Sequence, residues 1–214
     1  MTYKFPHYIV VEGPIGVGKT SLAKRLAGKL NVELLLEDTT DNPFLPRFYD
    51  DPGAYALPTQ LHFLFKRIKQ VESLWQTDLF RTAQVADFLF DKDALFARAT
   101  LNDNEYVLYR QIYERLTPQA PAPDLVIYLQ APPDILLQRI RARGVDYELD
   151  MDGAYVKKIS DAYVNFFYHY DAAPLLIINT ANFDLVKGSR NFNALLERIG
   201  SLPPGRHYFN PREF

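Results

Sequence analysis

Three groups of residues in this 214-residue chain have the types and spacing to do chemistry. The first is "VEGPIGVGKT", in which Gly13, Gly18, Lys19 and Thr20 form G-x-x-x-x-G-K-T between an apolar run and a helical pattern. Glycines let backbone N–H groups turn toward a phosphate, and the start of the helix adds its positive end. Lys19 would reach the β- and γ-phosphates and Thr20 would bind Mg²⁺. The second group is acidic: Glu37 and Asp38 close "LLLED", and "QVADFLFDKD" places Asp87, Asp91 and Asp93 within seven positions. Carboxylates at the exit of a buried strand are costly unless a cation or hydrogen-bond donor meets them. The third group is Gln60 with Arg67, seven apart, and the trio Arg139, Arg141 and Arg143.

Something must position these groups. Five near-continuous apolar runs, 8–13, 32–38, 84–90, 123–131 and 174–181, read as parallel strands covered on both faces. Between them, Leu22, Leu26 and Leu30 recur every four residues, and Ile135, Leu136 and Ile140 follow a Pro132-Pro133 start. A long helix is expected over Tyr55–Trp75, with Leu57, Leu61, Leu64, Phe65, Ile68 and Val71 as its apolar stripe. Strands alternating with helices imply an α/β fold, a three-layer sandwich around a five-stranded parallel sheet. No repeat or linker interrupts the chain, so 1–214 reads as one domain. The Pro-rich end, "SLPPGRHYFNPREF", is expected to be irregular.

In an open parallel sheet, ligands bind beyond the carboxyl ends of the strands. Glu37 is therefore placed as a general base for a hydroxyl attacking the γ-phosphate, or as part of a solvated or helix-capping acid pair. Gln60 and Arg67 lie nearly one above the other at the edge of the helical stripe. They either read the edge of a planar, hydrogen-bonding ligand or close off the core by snorkelling. The arginine trio suits the charge on a transferring phosphoryl group, or a solvated basic face.

The formal charge of −2 makes no electrostatic case for nucleic acid or an anionic membrane as a partner. With no cysteines, disulfides and thiolate metal sites are excluded, which fits a reducing compartment. No secretory h-region and no apolar stretch near the ~20 residues needed to span a bilayer are present, so a cytoplasmic location is expected. A P-loop is shared by GTPase switches, ATP-driven machines and small-molecule kinases; a chain of this size with no extra domain favours the kinase.

Taken together, these pieces resemble the deoxyribonucleoside kinase family, enzymes that phosphorylate the 5′-hydroxyl of deoxynucleosides from a nucleoside triphosphate. The resemblance covers about residues 8 to 185. It implies that ATP lies on Gly13, Pro14, Ile15, Gly16, Val17, Gly18, Lys19 and Thr20, with Mg²⁺ as cofactor. Glu37 is then similar to the family's base on the 5′-hydroxyl, with Lys19, Arg139 and Arg143 serving the phosphates. Tyr49 and Glu148 resemble residues on the 3′-hydroxyl, and Gln60 and Arg67 those that read the base. The stretch around 139–150 is close to the family's arginine-rich lid, Arg143 also meeting adenine, and "NTANFD", with Asn182 and Phe183, resembles the loop along the donor adenine. Members are commonly dimers, so a homodimer is expected. The Arg67 spacing and "DFLFDKDALFA" look most like the branch acting on purine deoxynucleosides.

One departure stands out. The family usually carries an acid-Arg-Ser triplet at the end of strand three; here Asp87 takes the acidic position and Phe88 stands where the arginine should be. Lys92 and Arg81 are the candidates to replace it. The three aspartates then divide: Asp87 beside Mg²⁺ opposite Thr20, Asp93 with Arg67 at the base, and Asp91 as a helix cap. Two rival readings are a thymidylate or other nucleoside monophosphate kinase and a non-catalytic kinase-like subunit. Phe88 and the loop centre "PIGV" count against the first, and the intact P-loop with Glu37 counts against the second.

Overall fold

Near-continuous apolar runs alternating with helices produce, in the computed structural model, the expected layered α/β architecture. Residues 5–37, 41–76, 83–116, 120–181 and 188–210 are described. In chain order the elements are β1 (Tyr8–Glu12), α1 (Lys19–Leu30), β2 (Glu33–Leu35), α2 (Leu45–Asp50), α3 (Pro52–Gln76), β3 (Gln84–Ala86), α4 (Lys92–Thr100) and α5 (Asp103–Leu116). There follow β4 (Leu125–Gln130), α6 (Pro133–Arg143), α7 (Gly153–His169), β5 (Leu175–Asn179), α8 (Ser189–Gly200) and β6 (Arg206–Phe209). A turn of 3-10 helix, Asp146–Glu148, joins α6 to α7.

The strands form one sheet in the order β2-β3-β1-β4-β5-β6, and every pairing is parallel. Alternation along β1 divides the core. Ile9 and Val11 pack with Leu22 and Leu26 of α1, Leu136 of α6 and Leu195 of α8. Val10 faces the other way, toward Leu95 of α4 and Ile159, Tyr163 and Phe167 of α7. A third apolar cluster joins α2, α3 and α5 through Phe48, Leu64, Ile68 and Tyr109. From β1 the chain crosses to β2 on one side, and from β3 it crosses back to β4 on the other. Such a switch point opens a crevice at the carboxyl ends of β1 and β3.

The sheet has six strands among the described residues, one more than expected. The extra strand is β6, inside the C-terminal stretch read as irregular; it pairs with β5 from Arg206 opposite Leu175 to Phe209 opposite Ile178. Its side chains alternate in exposure, and Arg206 donates to the carbonyls of Phe167, Tyr168 and Tyr170 at the end of α7. Three further expectations are corrected. β2 is a lightly covered edge, with Glu33 and Leu34 exposed, because no strand flanks it on its outer side. Phe65 is 47% exposed, whereas Leu64, Ile68 and Val71 carry the buried stripe of α3. Asp91 occupies the position before α4 without capping it, since the backbone there is already helical and the N–H groups of Lys92 and Asp93 are taken by the carbonyls of Leu89 and Phe90. No helix among the described residues is long and apolar enough to cross a membrane.

Candidate active site

The loop from β1 into α1 is built by glycine. Gly13 has φ 148°, and a Cβ there would sit 2.4 Å from the carbonyl oxygen of Leu129 on β4. Gly18 has φ 101° and precedes the first turn of α1, a left-handed position that suits glycine. The Lys19 ammonium donates to the carbonyls of Gly13 (2.6 Å) and Pro14 (3.2 Å). Burial lowers its pKa to about 8; nearby Lys92 adds to that effect and Glu12, Glu37 and Asp87 oppose it. Thr20, one residue on, donates through its hydroxyl to Asp87 Oδ2 at 2.5 Å, and Asp87 Oδ1 accepts from the backbone N–H of Glu37 at 2.7 Å. The ends of β1, β2 and β3 are thereby tied around one point.

From that point a line of alternating charges runs through the interior. Glu37 Oε2 accepts from Lys92 Nζ at 2.7 Å, and its Oε1 meets Arg67 Nε at 2.9 Å and Nη2 at 2.6 Å. Burial alone would raise the carboxyl's pKa, but these two cations hold it at about 2, so Glu37 is an anion in the free protein. Arg67 also donates through Nη1 to Asp93 Oδ1, and the hydroxyl of Tyr109 donates to Asp93 Oδ2 at 2.5 Å. Gln60 Nε2 donates to the backbone carbonyl of Asp93 at 3.0 Å. At the other end, Lys92 Nζ lies 3.7 Å from Glu12 Oε2. Gln60, Arg67, Lys92 and Asp93 are all buried.

A cavity of about 190 Å³ is lined by Lys19 and Thr20 of α1, Asp87 after β3, Glu37 after β2, and Gln60, Phe63 and Arg67 of α3. Tyr49 and Glu148 line it as well, as does Arg143, which pairs with Glu148. Tyr49 stacks on Tyr147 with ring centres 6.0 Å apart. Ile15 reaches the cavity wall, while Val17 turns into the core. Arg139 is not among the lining residues: its guanidinium donates to the hydroxyl (3.0 Å) and carbonyl (2.6 Å) of Thr180, just past β5. Asn182 and Phe183 lie outside the described residues, as do Asp38 and Arg81. The structure thus brings Glu37, Gln60, Arg67, Asp93, Asp87, Lys19 and Thr20 together and leaves Arg139, on α6, bonded to the loop after β5.

Phe88 is buried, with its ring 6.0 Å from the Lys92 ammonium and no part in the cavity wall. The cation missing at position 88 is supplied four residues later, from the first turn of α4. A lysine at that position opposes the helix dipole, and this is the signal in the sequence that acids await it. Glu12, Tyr109, which bonds to Asp93, and Tyr155, in the cavity wall, were not singled out from the sequence. Glu12 alone had a visible mark, a charge ending the apolar run "YIVVE".

Thr20 and Asp87 present hydroxyl and carboxylate oxygens, which suit a hard cation such as Mg²⁺. No group of three or more His, Cys, Asp or Glu able to hold a metal occurs among the described residues, so further ligands would come from phosphate and water.

A P-loop at the switch point of a parallel sheet, facing a partly buried carboxylate held by two cations, defines a phosphoryl-transfer enzyme of the P-loop class. More narrowly, the chain belongs to the deoxynucleoside kinase family, whose model matches residues 9–202. It is 35% identical over 179 residues to deoxyguanosine kinase of Bacillus subtilis, covering 83% of this chain and 86% of that protein. It is 29% identical over 202 residues to deoxyadenosine/deoxycytidine kinase of the same organism, covering 91% and 92%. Among solved structures, deoxyadenosine kinase from M. mycoides with bound dATP superposes with a TM-score of 0.79 at 22% identity, over 91% of this chain and 100% of that one.

Proposed function

We propose that this enzyme transfers the γ-phosphoryl group of ATP to the 5′-hydroxyl of a purine deoxynucleoside, in nucleotide salvage. The observation that carries this reading is Glu37, an ionised carboxylate at the junction between the phosphate end and the Gln60–Arg67 end of one cavity. The hydroxyl oxygen attacks the γ-phosphorus as its proton passes to Glu37, and the bond to the bridging oxygen breaks with its electron pair leaving on ADP. Lys19, Lys92 and Arg143 supply positive charge around the phosphoryl group, with Arg139 carried toward it by the lid, about 139–150. Mg²⁺, held by Thr20 and Asp87, would neutralise charge on the β- and γ-phosphates. Tyr49 and Glu148 hold the 3′-hydroxyl, Gln60, Arg67 and Asp93 face the base, and Asn182 and Phe183 line the donor adenine.

The purine assignment rests on the relatives' names, several of which are deoxyguanosine or deoxyadenosine kinases, and on Arg67 as a donor for purine N7. We further propose one domain over 1–214, a homodimer and a cytoplasmic location. Apolar side chains exposed on α5 (Val107, Leu108) and on α7 (Val164, Tyr168) support the dimer. The stretch "YLQAPPDILLQ" offers no such surface, because Tyr128, Leu129 and Leu136 are interior.

The test is product formation with Mg-ATP and each of the four deoxynucleosides and thymidine monophosphate, together with Glu37→Gln. Phosphorylation of deoxyguanosine or deoxyadenosine is expected, with turnover lost in Glu37→Gln while nucleoside binding persists. Near-normal turnover of that variant would refute the base role, and thymidine monophosphate as the only acceptor would refute the substrate class.

A further inference from the structure

Glu12 is the last residue of β1 and is fully buried. A carboxylate in such a place is costly unless every lone pair finds a donor or a cation. Its Oε1 accepts from the backbone N–H of Gly13 at 2.8 Å and from the Tyr163 hydroxyl of α7 at 2.9 Å. Its Oε2 accepts from the backbone N–H of Leu89 at 2.7 Å and lies 3.7 Å from the Lys92 ammonium. Three neutral donors on three separate segments hold this group rigidly. Glu37, the other carboxylate on Lys92, sits instead on a short connection after an edge strand.

Glu12 does not line the cavity; Lys92 and Tyr163 do. The groups facing Lys92 are Glu12 of β1, Glu37 after β2, the ring of Phe88 after β3 and, further off, Lys19 of α1. Of these only Glu12 is both anionic and locked in place. We propose that Glu12 is a positioning residue for phosphoryl transfer: a fixed carboxylate that, through Lys92, holds an ammonium group at the phosphate side of Glu37. This inference rests on the kinase function proposed above and deepens it. Glu12 is held by three donors that do not depend on Glu37, so it fixes Lys92 beside the phosphoryl group independently of the base.

A bland alternative is that Glu12 only brackets the P-loop, the residues after β3 and α7. A double-mutant cycle separates the two, because coupling through Lys92 must vanish when Lys92 is gone. Turnover and KM for Mg-ATP and deoxyguanosine would be measured for Glu12→Gln, Lys92→Met and the double variant. Lys92→Met should lower kcat by roughly 100-fold, with Lys92→Arg restoring part of it. Glu12→Gln should lower kcat by roughly 10-fold with both KM values within about threefold, and should cost less than about threefold in the Lys92→Met background. An equal loss in both backgrounds, or a loss confined to KM, overturns the proposal.

Gln places an NH₂ group among donors, so Glu12→Gln is checked for cooperative unfolding. If it does not fold, Tyr163→Phe decides in the same cycle, since it removes one support of Glu12 and no charge. Its smaller kcat loss should likewise disappear in Lys92→Met, and a loss that persists there overturns the proposal. Failure of the parent reading looks different: Glu37→Gln at wild-type turnover removes the base without touching the Glu12–Lys92 coupling. A wild-type protein inactive on every deoxynucleoside overturns both.

Discussion

Asp93→Asn exchanges one carboxylate oxygen for an NH₂ group and leaves shape and volume almost unchanged. The site is fully buried, so the change is felt as charge and hydrogen bonding alone. The Asn oxygen must face Arg67, because NH₂ against a guanidinium would set donor against donor. The NH₂ then faces Tyr109, whose hydroxyl can turn to accept. What is lost is one of two counter-charges on a buried arginine; the other, Glu37, stays within 2.6 Å. Removing one partner of a buried pair costs about 3–5 kcal/mol when nothing else compensates. With Glu37 in place we expect ~2–4 kcal/mol, a fall in Tm of ~5–15 °C for a chain of this size. Tyr109→Phe removes one hydrogen bond to a charged group and no charge, and should cost less, ~1.5–3 kcal/mol. The assays are thermal and urea unfolding, with KM for deoxyguanosine and for ATP. Asp93→Asn should raise the nucleoside KM roughly 10-fold or more and leave the ATP KM within about threefold, since the altered Arg67 faces the nucleoside end of the cavity. A Tm change under about 2 °C, a reversed order of the two variants, or an equal rise in both KM values would refute the reasoning.

Gly13→Ala should abolish measurable ATP binding by calorimetry and lower Tm, because the new Cβ would meet the Leu129 carbonyl at 2.4 Å; retained affinity would mean that the loop relaxes freely. Thr20→Ala and Asp87→Asn should each raise the Mg²⁺ concentration needed for half-maximal turnover by roughly 10-fold or more, and an unchanged Mg²⁺ dependence would remove both from the metal site. Analytical ultracentrifugation should find a dimer, and charge introduced at Val164 and Tyr168 should shift it toward monomer without unfolding; a monomeric wild type would refute the proposed assembly.

Elements whose signal is local were legible in the sequence. β1, β4 and β5 are long, doubly covered apolar runs, and the P-loop is a strand, a glycine turn and a helix in direct succession. β6 was not, because a four-residue edge strand alternates in exposure and sits among prolines that elsewhere mark irregular chain. Phe65 was misread because the apolar face of α3 is narrower than hydrophobicity suggests; Phe63, two residues earlier, faces the cavity and stands beneath Arg67 at 5.3 Å. Helical spacing paired Gln60 with Arg67, but Asp93 joined them only through the family resemblance. Contacts between α3 and α4 depend on how two helices cross, which no periodicity within either helix encodes.

The gap at Phe88 shows the same limit from the other side. Aligned position by position, the chain lacks a cation, yet in space it does not: Lys92, four residues later at the start of α4, reaches the Glu37 carboxylate. What matters is the order of charges, Glu12, Lys92, Glu37, Arg67 and Asp93, in which each cation stands between two anions. In a low-dielectric interior such an order keeps every cation neutralised twice, so no single contact carries the whole cost of burial. It also ranks the members. Loss of an end, Glu12 or Asp93, leaves the adjoining cation one remaining partner, whereas loss of Lys92 or Arg67 strips an anion on each side. Loss of Glu37 removes, among the described residues, the carboxylate that both cations share and that lines the cavity.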